Sequence, residues 1–101
     1  MIVNLRGKEV EVKYSFNSFK YMRDFSPSVL EQLEDKPFEL IPFMEIMMLG
    51  ALNHNKKVKF TVDDADDVLE DVSENGDISK LLEDLMELLQ ESGFFKSLQK
   101  D

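Results

Sequence analysis

Residues 5–25 read LRGKEVEVKYSFNSFKYMRDF, and the hydrophobic period changes inside this stretch. Val10, Val12, Tyr14 and Phe16 alternate with Glu11, Lys13 and Ser15. A period of two is that of a half-buried strand. IVNL precedes it and Gly7 supplies the turn between the two, so residues of about 1–15 are expected to form a β-hairpin. Beyond it Phe19, Met22 and Phe25 recur at intervals of three, the spacing of a short helix, with Ser15 or Asn17 as its cap. An isolated hairpin is not stable in water, so this one must pack on the rest of the chain.

The rest of the chain reads as helix. SPSVLEQLEDK has Ser26 as cap, Pro27 at the first helical position and an apolar side of Val29, Leu30 and Leu33. FELIPFMEIMMLGALNH is the most hydrophobic segment, with Ile41, Met44, Met48 and Ala51 on one stripe broadened by Phe38, Leu49 and Leu52. A helix apolar around most of its girth is central to a fold, and Pro42 suits its first turn only. NHNKKVKF is a polar loop with a short extended piece at Val58–Phe60. Thr61 then caps a helix with Asp63 and Asp64 in its first turn and Val62, Ala65, Leu69 and Val72 as its stripe. Asn75-Gly76 stops it, and Asp77 caps the last helix. Ile78, Leu82, Leu85 and Leu89 form that helix's seam, Leu81, Met86 and Leu88 lie beside it, and Gly93 ends it. The expectation is one α+β domain over 1–101, mainly helical: a hairpin packed on about five helices spanning about 16–95, then a short polar tail.

Composition narrows the function. With 101 residues, 43% of them hydrophobic, the chain is long enough for one modest core. There is no cysteine, hence no disulfide framework and no thiolate metal site. LIPFMEIMMLGAL falls far short of the roughly 20 residues of a membrane span. Net charge is −9 and uneven. Residues 1–60 hold nine Lys/Arg and eight Asp/Glu; residues 61–101 hold three and thirteen. An anionic half repels phosphate, which argues against nucleic-acid binding, although the acid also serves solubility alone.

No catalytic signature emerges. DDADDVLED has the look of a cation loop, but a calcium loop of the EF-hand type needs a glycine sixth, where Val68 or Leu69 stands. The spacing suits a helix N-terminus and a solvated acidic face better. His54, the single histidine, sits in NHNKK without triad or zinc-site partners and reads as a surface-loop residue. The four glycines are isolated, so no phosphate loop exists. Neither enzyme activity nor a cofactor is expected.

Two features point to partners. Met44, Met47, Met48 and Met86 bring flexible thioethers that suit irregular cores or adaptable surfaces; Met44 and Met48 read as core, while Met47 falls off the main stripe. Phe94 and Phe95 come directly after the Ser92-Gly93 stop. They tuck back onto the helix end or anchor another protein, and both readings stay open.

Taken in order, these segments resemble the tail assembly chaperones of long-tailed bacteriophages and prophages. The opening matches through Gly7-Lys8-Glu9, the alternating Val10–Tyr14, and Phe16 and Phe19. MLGALNHNKKVKFTVDDADDVLEDV matches through a hydrophobic helix, a small-residue turn and the Thr61-capped acidic helix. LLEDLMELLQESGFF matches the closing helix and aromatic end. At Tyr14-Ser15-Phe16 the chain departs from the family, which more often has a glycine there.

The resemblance implies a non-catalytic protein of the host bacterial cytoplasm. It would bind the long tape measure protein, keep it soluble while tail tube protein assembles around it, and be absent from the finished virion. A frameshifted longer form and contact with the tail tube protein are further implications; self-association through the same surface is left open by the sequence. On this reading Met47, Phe94 and Phe95 contribute to an apolar patch, and Glu83, Glu87 and Glu91, four apart, form its acidic rim. The rival reading is a small acidic phage or bacterial protein that binds and inhibits a basic host protein.

Overall fold

A computed structural model describes residues 1–23, 40–93 and 96. Two strands, β1 (Ile2–Leu5) and β2 (Lys8–Glu11), are followed by α1 (Phe16–Tyr21), α2 (Leu40–Leu52), α3 (Val62–Asn75) and α4 (Ile78–Glu91). The fold is α+β and mainly helical, as expected. Four helices stand among the described residues against about five anticipated; the one expected from Ser26 onward lies outside them.

The strands pair antiparallel, Val3 opposite Val10 and Leu5 opposite Lys8. Arg6 and Gly7 form the two-residue turn with φ of 50° and 83°. Positive φ at both central residues is the turn that matches strand twist. Asn4 Oδ1 accepts the Gly7 N–H at 2.9 Å. The ladder ends at Glu11, earlier than the alternation suggested, yet Val12 and Tyr14 remain buried beyond it. Phe16 does not continue the inward series: Ser15 caps α1, and Phe16 opens the helix 64% exposed. The Ser15 Oγ accepts from the Ser18 N–H, and the Ser18 Oγ accepts from the Ser15 N–H.

α2 is the centre of the fold and packs on α1, α3 and α4. Phe43, Met44, Met47, Met48, Ala51 and Leu52 are all buried along it. Ile41, expected on this stripe, is 57% exposed at its first turn. Pro42 occupies that first turn, as its missing N–H requires. In α3 the buried line runs through Ala65 and Val68, with Leu69 and Val72 half-buried; Val62 stands exposed. The helix is thus rotated toward Val68 relative to the expected stripe. Thr61 and Asp64 form its capping box. In α4, Leu81, Leu85 and Leu89 are the most buried line, flanked by half-buried Ile78, Leu82, Met86 and Leu88. Asp77 caps it by accepting from Ser79 and Lys80. Its end at Ser92 is made by extended backbone (φ −64°, ψ 142°), not by a left-handed glycine; Gly93 already belongs to a new helical turn in which Lys96 N–H donates to Ser92 O.

The C-terminal end of α2 is tied by hydrogen bonds. Lys13 N–H donates to Ala51 O, Asn17 Nδ2 to Asn53 O at 2.6 Å, and Ser15 Oγ to His54 O at 2.7 Å. Asn53 is fully buried. Its Nδ2 donates to Leu49 O and Phe60 O, and its Oδ1 accepts the Phe60 N–H at 2.8 Å. The 53–61 loop therefore forms no ladder but is closed around this side chain. Tyr14 reaches the same helix, donating to Met47 O at 2.9 Å, and burial pushes its hydroxyl pKa up.

Two substitutions test this architecture. Asn53→Ala leaves the half-buried Phe60 N–H and C=O without their side-chain partner, while Leu49 O keeps the Asn53 backbone N–H, so denaturant unfolding should show a loss of about 1–3 kcal/mol. A methyl at Gly50 would lie 2.2 Å from Met22 Sδ and 3.3 Å from Ser18 O. Helix propensity favours alanine by about 1 kcal/mol, but overpacking costs about 1–3 kcal/mol. Gly50→Ala should therefore destabilise the wild type and do so less in a Met22→Ala background, as a double-mutant cycle would show.

Candidate functional site

The anticipated site residues separate in the structure. Glu83, Glu87 and Glu91 are exposed on the side of α4 opposite Leu81, Leu85 and Leu89. Their spacing of four sets them in one row on the helix. Lys80 and Asp84 pair beside that row, and this hydrogen bond raises the Lys80 pKa above its ordinary value. Met47 is 0% exposed, so it is core and not part of an apolar surface patch. The reason is the girth of α2, which meets α1, α3 and α4 and leaves little of itself to solvent. Phe94 and Phe95 lie outside the described residues.

The acidic segment at the start of α3 is engaged. Asp64 accepts the Thr61 N–H at 2.8 Å and pairs with Arg6 at 2.6 Å; Arg6 also pairs with Asp67. The Thr61 hydrogen bond, then Arg6, holds the Asp64 carboxyl below its usual value, and the same pairs raise the Arg6 pKa. The segment that resembled a cation loop thus caps a helix and holds the hairpin turn. Among the described residues no three His, Cys, Asp or Glu side chains converge to hold a metal ion. His54 Nε2 lies 3.1 Å from Glu11 O and joins loop to strand.

Sequence reasoning missed a hollow on the hairpin side. Lys13, Phe16, Lys20, His54 and Lys56 line a shallow depression of about 780 Å³ with Glu11 at its edge. A second, of about 750 Å³, adjoins it across Glu11, His54 and Asn55 and runs toward Lys8 and Val58. A signal existed: once Ser15 is the cap, Phe16 and Lys20 share one face of α1 by their spacing of four, and Phe19 and Met22 take the other.

One contact is unfavourable at neutral pH. Glu45 of α2 meets Asp66 of α3, and their hydrogen bond, with burial, raises the Glu45 pKa above 4.5. A carboxyl with a raised folded-state pKa adds stability below its unfolded value and loses it as pH rises through the folded one. Glu45→Gln should therefore stabilise the protein at pH 7 by roughly 0.2–0.5 kcal/mol. The gain should be present above the raised folded-state value and vanish as pH falls from there toward 4.5, as thermal melts across pH would report.

A family model described as phage tail assembly chaperone protein, TAC, matches residues 3–101. No curated protein and no solved structure matches the chain.

Proposed function

The chain belongs to the phage tail assembly chaperone family, and from that membership we propose that it binds the tape measure protein of its phage and keeps it soluble while the tail tube assembles. The observation that carries this reading is the family match, which takes in nearly the whole domain. The chaperone acts without catalysis, in the host cytoplasm, and leaves before the virion is complete.

The surface chemistry supports such work. A long protein with apolar helix faces aggregates unless those faces are covered. A small domain can cover them with a few apolar side chains, here Phe94 and Phe95 in our proposal. The exposed row of Glu83, Glu87 and Glu91 then gives the complex like charge toward its neighbours. Each contact is small, so tube subunits can displace the chaperone by mass action. The rival role, inhibition of a basic host protein, draws on the same acidic face. Salt separates the two, because a charge-driven complex weakens as the screening length shortens and an apolar one does not.

The test is co-expression with the tape measure protein of the same phage. The soluble fraction of the tape measure protein should rise several-fold, and the two should co-purify with much of the binding retained at high salt. Phe94→Ser with Phe95→Ser should reduce that recovery. Tape measure protein that stays insoluble, with only a basic host protein retained at low salt, would establish the inhibitor reading instead.

A further inference from the structure

We propose that the hollow around Phe16 docks an acidic, amphipathic helix of the tape measure protein, with an apolar side chain of that helix against Phe16 and its carboxylates on Lys13, Lys20 and Lys56. The inference rests on the chaperone reading and deepens it by naming the face and the partner chemistry.

Three observations carry it. The first is charge. Lys13, Lys20 and Lys56 line this hollow against the single carboxylate of Glu11, in a protein of net charge −9. The local sign is opposite to that of the whole, so the surface selects for a carboxylate-bearing partner and against a cationic one. The second is the aromatic. Phe16 is 64% exposed and lines the hollow. A large, stiff aromatic side chain that a partner can cover is the kind of group that anchors interfaces. The third is rigidity. The walls are fixed to each other by Ser15 Oγ to His54 O, Asn17 Nδ2 to Asn53 O and the His54 Nε2 contact with Glu11 O. A preformed hollow binds without the ordering cost of a floppy one. The adjoining depression toward Lys8 and Val58 extends the same surface past a single side chain.

The experiment uses the full chain and the tape measure protein of its phage, with three variants: Phe16→Ser, Lys20→Glu with Lys56→Glu, and, as a control at exposed acidic positions of α3, Glu70→Lys with Glu74→Lys. Circular dichroism melts establish that each variant folds; exposed positions of this kind shift stability little. The first two should weaken recovery of the tape measure protein about tenfold or more. The control should not. Wild-type binding should also weaken in part as salt rises, and that part should vanish in the Lys20→Glu, Lys56→Glu protein.

Failure takes distinguishable forms. If the wild type recovers no tape measure protein, the chaperone reading falls and this inference with it. If the wild type recovers it and the two hollow variants do so equally well, the reading stands and the hollow is overturned as its site. If sedimentation of the chaperone alone shows a self-associated species that the hollow variants abolish and the α3 control keeps, the occupant is a second copy of this chain, and the assignment to the tape measure protein is overturned.

Discussion

The C-terminal end of α2 is the junction on which the structure depends. A helix leaves its last carbonyls without partners, and this end is buried, so they need donors from elsewhere. The link from β2 through Lys13 and Ser15, together with Asn17 in the first turn of α1, supplies them, and Asn53 turns its own side chain back to supply more. One set of bonds thereby fixes the exit of the hairpin, the start of α1, the end of α2 and the loop into α3. Gly50 permits the close passage of α1 over α2 that brings those donors within reach. The apolar core around Met47, Met48 and Leu52 then fills the space that this junction defines.

Charge organises the outside as hydrogen bonding organises the inside. The acidic half of the chain lies on α3 and α4, and much of it faces water. Arg6 crosses from the hairpin turn to Asp64 and Asp67, so the two halves meet through a charge pair as well as through β1 packed on α3. Arg6 is well exposed, and such pairs add little stability by themselves. Their effect here is positional: they hold the turn against a helix end whose dipole already favours the carboxylates. Lys13, Lys20 and Lys56 gather instead around Phe16. Among the described residues, the acidic row on α4 and the lysine-lined hollow thus give the surface regions of opposite sign.

Family membership and geometry bear on function differently. The match to tail assembly chaperones assigns the role at the level of the family. The geometry bears on how so small a domain performs it. The core takes Met44, Met47 and Met48, whereas Phe16, Ile41 and Val62 are exposed.

The sequence by itself determined the kinds of elements and their caps, because those are local. The hairpin with its turn at Gly7, the start of α2 around Pro42, and the caps Thr61 and Asp77 all come from side-chain period and from which residues satisfy free N–H groups. The acidic row on α4 was legible for the same reason. Which face of each helix is inside was decided only by tertiary packing. Met47 reads as peripheral on a single stripe, yet α2 is enclosed by three helices and buries it. Val62 and Ile41 fit their stripes and are still exposed, each in the first turn of its helix. Phe16 reads as the last inward residue of a strand, and the Ser15 cap turns it out into the hollow. The partners of Arg6 and Asn53 were hidden too: Arg6 reaches Asp64 and Asp67 across about sixty residues of sequence, and Asn53 binds Phe60 only because the loop closes. Periodicity is a property of one element, whereas burial and pairing belong to the elements that surround it.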